Sequence, residues 1–226
     1  MISILLPSRG RPNNLRRLLQ SIQDTADIPV EIEVIVRLDS DDSSYYEYGD
    51  ITEDFNVYLF PGPRTVLSRC WNECFQVSTG DILMHCGDDI VFRTAGWDTI
   101  VKQTFDEYSD KIVFVYGNDG LQGREFGTHG FIHRKWVEAV GYFVPPYFVS
   151  DFNDTWLNEV AKLIGRHRWI DIYTEHLHFI NNKAEIDQTH RDRIERHERE
   201  NPAALYETLF SERVRDAGKL QQVMEN

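Results

Sequence analysis

The sequence predicts an α/β protein with a mostly parallel central sheet flanked by helices, followed by a helical C-terminal extension. Short apolar runs alternate with segments in which apolar residues recur every three or four positions, the patterns of buried strands and amphipathic helices. Such alternation favours parallel strand pairing, because each crossover helix then covers one face of the sheet. With 226 residues, 41% of them hydrophobic, the chain can bury a substantial core, which excludes wholesale disorder.

The individual elements follow from the same periodicities. Strands are expected at residues 2–6, 32–38, 57–60, 82–86, 112–116 and 169–173. Helices are expected around 15–22, at 65–77, from 97 to about 108, and at 151–164. A long glycine-rich stretch after Gly117 is less regular, and loops of that length usually serve a binding site. We assign residues 1–183 to the α/β domain and 184–226 to the extension.

Charge and composition exclude several classes of function. Lys and Arg total 24 against 37 Asp and Glu, a formal net charge of −13, so the average field repels nucleic acid and anionic membranes. Three cysteines are too few for a disulfide framework and suit a reducing compartment. No apolar stretch reaches the ~18 residues of a membrane span, and the run at residues 2–7 is too short for the core of a signal peptide. We expect a cytoplasmic protein without an integral membrane segment.

The C-terminal extension is highly charged and helical. Asn201 can cap a last helix, with Pro202 in its first turn. Leu205, Leu209 and Leu220 are expected to pack that helix against the domain or against a second copy, so a homodimer is one expectation.

Polar loops follow the first, second and fourth strands, where ligands gather in open parallel sheets. Residues 7–12 place the guanidiniums of Arg9 and Arg11 and backbone N–H groups near a helix N-terminus, a combination that suits phosphate. A solvated turn is the alternative.

Asp88 and Asp89 directly follow a buried strand and repel each other unless a cation or hydrogen bonds intervene. Carboxylates suit Mg²⁺ or Mn²⁺, which would bridge to a diphosphate; an acidic turn that caps the next segment is the alternative.

Together these motifs resemble family-2 glycosyltransferases of the GT-A fold. The resemblance covers roughly residues 1–180: the loop 7–12, an Asp that ends the second strand, the helix 67–73, and the segment 80–83 that leads to Gly-Asp-Asp. It implies a Rossmann-like GT-A sheet, with Asp39 at the nucleobase or ribose and a divalent metal on the diphosphate. This chain departs from the family in having Gly87 at the first acidic place of the metal motif. Asp89 is therefore the stronger metal candidate, and Asp88 is expected to face ribose or metal.

The resemblance also assigns roles to individual residues. Asp89 and His176 are the expected metal ligands, and of His176 and His178 only one is expected to enter the site. Asp154, with Asp151 as the second choice, is expected to be the base that deprotonates the acceptor, although either could simply cap a helix. Expected cofactor-binding residues, which would hold the nucleotide sugar, are Pro7, Ser8, Arg9, Arg11, Asp39, Arg69, Asn72 and Asp88.

The function implied is a metal-dependent inverting glycosyltransferase that uses Mn²⁺ or Mg²⁺. It would move a sugar from a nucleoside diphosphate, with UDP the expected nucleotide, to a hydroxyl of a glycan, a protein or a modified nucleobase. One rival is a sugar-1-phosphate nucleotidyltransferase, but the glycine-rich loop of that class is missing after the first strand. Another is a non-catalytic carbohydrate-binding or nucleotide-binding protein of the same fold, which the missing first aspartate keeps open.

Overall fold

A computed structural model describes residues 1–52 and 55–225 of the chain. Within these ranges, eight strands form a single sheet. The strands are β1 (Ile2–Ser8), β2 (Ile32–Asp39), β3 (Val57–Gly62), β4 (Ile82–His85), β5 (Ile90–Phe92), β6 (Phe114–Asn118), β7 (Gly130–His133) and β8 (His167–His176).

Helices cover both faces of the sheet and make up most of the C-terminal segment. They are α1 (Pro12–Thr25), α2 (Tyr45–Thr52), α3 (Leu67–Val77), α4 (Trp97–Asp106), α5 (Arg134–Val140), α6 (Asn153–Leu163), α7 (Gln188–Glu200), α8 (Pro202–Thr208) and α9 (Phe210–Met224). One apolar cluster joins the sheet to α1 and α4, and a second joins its other face to α3, α5, α6 and α9.

The sheet is mostly parallel, as the sequence predicts. Its strand order is β3-β2-β1-β4-β7-β6-β8-β5. Strands β1, β2, β3 and β4 pair in parallel, and so do β6 and β8. Strand β7 is antiparallel to both β4 and β6, and β5 is antiparallel to β8. The predicted α/β fold class is therefore confirmed, with two reversed strands that the periodicities do not reveal.

These two reversals decide which residues meet at one edge of the sheet. The carboxyl ends of β1, β2, β4 and β8 lie at the same edge, together with their polar loops. Because β7 and β5 run the other way, the residues that precede them, His129 and Asp89, lie at this edge as well. Residues at the ends of six strands therefore lie along this one edge.

Four further elements differ from the sequence-based expectation. Helix α2 and the short strands β5 and β7 were not expected, because none of them carries a clear apolar period. Strand β8 extends to His176, three residues beyond the predicted end at Tyr173. Asn201 caps α8 as expected, its side chain accepting a hydrogen bond from the backbone N–H of Ala204.

The last helix, α9, packs against α5 and α6, and its Leu220 is fully buried in the core of the same chain. Among the described residues, no helix combines the length and the apolar character needed to cross a bilayer. The thiols of Cys70, Cys74 and Cys86 are free and buried. Burial raises the pKa of Cys70 to about 11, which keeps this thiol protonated and unreactive at neutral pH.

Candidate active site

A cleft of about 320 Å³ lies along the carboxyl-end edge of the sheet. It receives residues from the loops after β1, β2 and β4, from the segment before α6, from the end of β8 and from α7. Ten of the residues expected from the sequence line it: Pro7, Ser8, Arg9, Arg11, Asp39, Asp88, Asp89, Asp151, Asp154 and His176.

At the floor of the cleft, Asp89, His129 and His176 form a cluster able to hold a metal ion. One ligand atom from each residue lies within 4.8 Å of the others. Asp89 Oδ2 and His176 Nε2 are 3.3 Å apart. Two imidazoles and one carboxylate fit a divalent transition metal.

The strand pairing explains why these three residues meet. Strand β5 starts directly after Asp89 and pairs antiparallel with β8, with Ile90 opposite His176. The backbone carbonyl of Asp89 accepts a hydrogen bond from the N–H of Leu177 at 2.9 Å, which fixes this register. His129 arrives from the start of β7, and its ring centroid is 4.8 Å from that of His176.

Gly87, which stands at the first acidic place of the expected motif, leaves no room for a side chain. A Cβ built at this position would lie 2.8 Å from Asp89 Oδ1 and 3.7 Å from His129 Nε2. Such a contact would push the Asp89 carboxylate out of the cluster, because its backbone is held by the β5–β8 pairing. Glycine therefore stands at this position because a side chain would not fit beside Asp89, and His129 offers a third ligand atom instead of the missing aspartate.

We expect Gly87→Ala to weaken metal binding at least tenfold while the fold is retained, since the added methyl group displaces one of three ligands. Isothermal titration with Mn²⁺ measures the effect. Gly49→Ala is the matched control, because Gly49 lies in α2 and a Cβ there meets nothing within 4 Å. Equal Mn²⁺ affinities in the parent protein and in Gly87→Ala would contradict this account of the glycine.

The protonation states of Asp89 and His129 suit metal binding. Burial raises the pKa of the Asp89 carboxyl, but the hydrogen bond and the charge of His176 outweigh it and hold that pKa below its ordinary value. Burial, together with the charge of His176, holds the pKa of His129 well below its ordinary value. At neutral pH Asp89 is therefore ionised and His129 neutral, the forms that coordinate metals.

Beside the cluster, Asp88 faces the loop after β1. Its carboxylate accepts hydrogen bonds from Ser8 Oγ at 2.6 Å and from Arg11 Nη1 at 3.2 Å. Burial raises the pKa of Asp88 to about 6, with Arg11 opposing and the charge of Asp89 adding to the shift. The two adjacent carboxylates thus have different partners. Asp89 belongs to the metal cluster, and Asp88 is bound to Ser8 and Arg11.

Arg11 joins this loop to the C-terminal segment. Its Nε and Nη2 donate to the two carboxylate oxygens of Asp187 at 2.6 and 2.8 Å. Burial acts to raise the pKa of Asp187, but the hydrogen bonds from Arg11 outweigh it and lower that pKa to about 2. Asp187 also caps α7 by accepting from the N–H of His190 at 2.9 Å. The ion pair between Arg11 and Asp187 therefore fixes the N-terminus of α7 over the cleft.

Asp39, at the end of β2, is held between two guanidiniums. Arg37 Nη1 donates to its Oδ1 at 2.5 Å, and Arg9 Nη1 to its Oδ2 at 3.2 Å. The Arg37 side chain is fully buried, and a Cβ at Gly62 would lie 2.6 Å from its Nη2, so glycine leaves the space that this arginine occupies. The carboxylate of Asp39 is consequently fixed in orientation in the cleft.

Asp154 and Asp151 differ sharply in their surroundings. Both oxygens of Asp151 are engaged, by Arg193 Nε at 2.6 Å and by His197 Nδ1 at 2.5 Å. Within the described part of the chain, Asp154 accepts hydrogen bonds only from Thr155, through Oδ1, at 2.8 Å from the backbone N–H. Burial raises the pKa of Asp154 to about 6, although the Thr155 N–H opposes the shift. Of the two carboxylates, Asp154 is the one available to take up a proton.

Two residues expected at the nucleotide lie elsewhere. Arg69 is 65% exposed and pairs with Glu73 one helical turn away at 2.8 Å. Asn72 links α3 to a loop, since its Nδ2 donates to the carbonyl of Val144 at 2.9 Å and its Oδ1 accepts from the N–H of Phe143 at 2.8 Å. Neither is among the described residues that line the cleft.

The expectation that only one of His176 and His178 enters the site is wrong. Both line the cleft, with ring centroids 5.0 Å apart. The physical reason is that residues two positions apart on an extended chain share a face. His178 lies just beyond β8, and its Nδ1 accepts from the N–H of Ile180 at 3.3 Å.

Sequence reasoning did not predict His129 as a metal ligand, nor Arg37, Asp187 and His190 as site residues. The glycine-rich stretch that contains His129 was the available signal, but it did not show that strand β7 follows and runs antiparallel to its neighbours. Arg37 in the middle of an apolar run was a clear signal, because a buried arginine demands a carboxylate partner.

Compared by sequence, the chain matches no protein-family model and shows no significant match to a curated protein. Among solved structures, mannosyltransferase PcManGT from Pyrobaculum calidifontis, in complex with GDP-Man and Mn²⁺, aligns with a TM-score of 0.60 and 14% identity, over 78% of this chain and 57% of that chain. The chain has a GT-A-like glycosyltransferase fold. S. aureus TarS 1-349 in complex with UDP-GlcNAc aligns with a TM-score of 0.62 and 14% identity, over 82% of this chain and 59% of that chain.

The family-level resemblance seen in the sequence is therefore confirmed at the level of the fold. This chain spans about three fifths of the length of the two aligned structures.

Proposed function

We propose that the protein is a metal-dependent inverting glycosyltransferase that uses a nucleoside-diphosphate sugar, with UDP as the nucleotide. The observation that carries this proposal is the placement of Asp89, His129 and His176 in the same cleft as Asp154. A bound metal can stabilise a departing diphosphate, and a free carboxylate with a raised pKa can take up the proton of an acceptor hydroxyl.

Asp89, His129 and His176 would hold the divalent metal, which when bound neutralises the charge that develops on the departing diphosphate. Asp154 accepts the proton of the acceptor hydroxyl while that oxygen attacks the anomeric carbon. The bond between the anomeric carbon and the phosphate oxygen breaks, and its electron pair leaves with the diphosphate. A single displacement inverts the configuration of the anomeric carbon.

The other cleft residues bind and orient the donor. Asp39, fixed by Arg37 and Arg9, presents carboxylate oxygens that accept hydrogen bonds from a nucleobase or ribose. Ser8, Arg11 and Asp88 form a buried polar network between that position and the metal cluster. Such preorganised groups lose little freedom when a ligand binds.

We further propose that the segment 184–226 is part of the catalytic unit and that the protein works in the cytoplasm. The ion pair between Arg11 and Asp187, and the α7 residues that line the cleft, support the first point. The three free buried cysteines support the second.

A thermal-shift screen tests the function. Sugar nucleotides are added with Mn²⁺, Co²⁺ or Mg²⁺, because a ligand that binds only the native state raises the melting temperature. We expect UDP-sugars to stabilise the protein more with Mn²⁺ than with Mg²⁺, since Mg²⁺ prefers oxygen ligands and the cluster supplies two imidazoles.

Chromatography of the released nucleotide then separates the functions. Metal-dependent release of UDP from a UDP-sugar supports transfer. Stabilisation without any release of nucleotide would identify a non-catalytic binding protein, and formation of a sugar nucleotide from a sugar 1-phosphate would identify a nucleotidyltransferase. No metal-dependent stabilisation by any sugar nucleotide would overturn the proposal.

A further inference from the structure

Three arginines line the cleft where α7 passes over it: Arg64, Arg193 and Arg196. Arg193 and Arg196 are three residues apart on α7 and therefore share one face of the helix. Arg64 follows β3 and reaches the same place from the sheet. Arg64 and Arg196 also line a second cavity outside the cleft.

The carboxylates nearby neutralise two of these three charges. Arg64 pairs with Asp192, and Arg193 pairs with Asp151 at 2.6 Å. The guanidinium of Arg196 has no hydrogen-bond or ion-pair partner within residues 1–52 and 55–225, and its Nε is buried. The other arginines of the cleft, Arg9, Arg11 and Arg37, all pair with acids.

An arginine left in this state is unfavourable for the protein alone. Burial and the charge of Arg64 act to lower the pKa of Arg196, while the charges of Asp192 and Asp151 oppose them. These two carboxylates are already paired with Arg64 and Arg193, so two carboxylates face three guanidiniums. Glu195, the next acid along α7, lines only the second cavity and is exposed to solvent. An anion in the cleft would supply both a third negative charge and an acceptor for the buried N–H group, and the planar fork of a guanidinium matches phosphate oxygens.

The position of Arg196 points to the acceptor rather than the donor. Its neighbour Arg193 holds Asp151, three residues before Asp154, so this part of α7 lies on the side of the base that receives the acceptor proton. The donor diphosphate has its own positive partners in the metal cluster and Arg11. The second cavity shares Arg196 and Arg64 with the cleft, so the two cavities adjoin at these arginines.

We propose that Arg196, together with Arg64, binds a phosphate group of the acceptor, and that the acceptor is a phosphorylated carbohydrate. This proposal rests on the glycosyltransferase function proposed above. Nucleic acid is the less favoured phosphate source, because a net charge of −13 repels a long polyanion.

Nuclear magnetic resonance can observe Arg196 directly through its Nε–H signal, which the Arg196→Gln variant assigns by its loss. The ¹⁵N-labelled protein is titrated with inorganic phosphate, first alone and then with UDP and Mg²⁺ present. We expect a saturable shift of this signal in both titrations and none in a sodium chloride series of equal ionic strength. By calorimetry, Arg196→Gln should weaken phosphate binding on the order of tenfold or more, as for a lost hydrogen bond to a charged group.

Arg191→Gln is the matched control, since Arg191 lies on α7 outside both cavities. Among the residues that the structure describes, its side chain bonds only to Gln188 and the carbonyl of Ile186. It should bind phosphate like the parent protein. Melting curves of both variants establish that each is folded.

Each contrary outcome has a distinct meaning. No saturable shift of the Arg196 signal overturns the anion site, whether or not UDP binds. A shift that disappears when UDP is present assigns Arg196 to the donor and overturns the acceptor site. Tighter binding of a short DNA oligonucleotide than of glucose 6-phosphate overturns the carbohydrate assignment. Failure of UDP to bind with any metal, while phosphate still shifts Arg196, overturns the proposed function and with it the role of this site in an acceptor.

Discussion

Asp89→Ala is expected to abolish metal-dependent sugar transfer, with a loss on the order of 10³-fold or more. The change removes the carboxylate of the cluster and leaves only two imidazoles, which hold a divalent ion weakly. A bound metal supplies several kcal/mol of stabilisation to the developing charge on the leaving group, and each 1.36 kcal/mol is about a factor of ten in rate. The fold should survive, because the backbone carbonyl of Asp89, which accepts from Leu177, is unchanged.

Calorimetry of UDP binding at several Mn²⁺ concentrations measures this effect apart from catalysis. The parent protein should bind UDP more tightly as Mn²⁺ rises, and Asp89→Ala should show no such dependence. Asp81→Ala is the control, because Asp81 precedes β4 and its carboxylate is 70% exposed beside the chain N-terminus. If Asp89→Ala keeps the Mn²⁺ dependence of the parent protein, the metal cluster is assigned wrongly.

The second large effect is expected from Asp154→Asn, which should reduce the turnover number by about 10²–10⁴-fold, the usual contribution of a general base. The amide has the shape of the carboxylate but cannot accept the acceptor proton. Donor affinity should stay near the parent value, since the loss is confined to the chemical step. Steady-state kinetics at saturating donor and metal measure the turnover number, with calorimetry for the donor.

The pH dependence of the turnover number provides an independent test of the same carboxylate. A base works only when ionised, and the pKa of Asp154 is raised to about 6. Activity should therefore fall tenfold for each pH unit below about 6 and level off above about 7. Saturating metal keeps the loading of the histidines constant across the profile. In Asp154→Asn the turnover number should no longer fall at acid pH. If the fall persists in the variant, it must be assigned to Asp88, whose pKa is also raised to about 6.

Asp151→Asn is the matched comparison for Asp154→Asn. Both carboxylate oxygens of Asp151 are bound, by Arg193 and His197. Asp151→Asn should therefore weaken these contacts to α7 and reduce the turnover number less than Asp154→Asn does. An inactive Asp151→Asn beside an active Asp154→Asn would reverse the assignment of the base. Full activity in both variants would rule out a mechanism with either of them as the single base.

Much of the fold is encoded in local patterns. Apolar runs and helical spacing predict six of the strands and the main helices of the α/β domain, because burial of one face is a property of each segment by itself. Polar loops at strand ends are equally visible, so Asp39, Asp89 and Asp154 could be named before their surroundings were known. The same reasoning also placed Arg69 and Asn72 in the cleft, which neither of them lines. Their positions on an amphipathic helix do not reveal which loop the helix packs against.

The sequence by itself determined the α/β class, the carboxyl-end loops and most of the acidic residues that face the cleft, because each depends on local spacing and on the ends of predicted strands. Only the tertiary structure decided that His129 joins Asp89 and His176, since this requires β7 and β5 to run against their neighbours. It also decided that α7 lies over the cleft, held by the ion pair of Arg11 with Asp187, which are 176 residues apart. Strand direction and long-range ion pairs depend on which segments meet in space, and no short window of sequence contains that information.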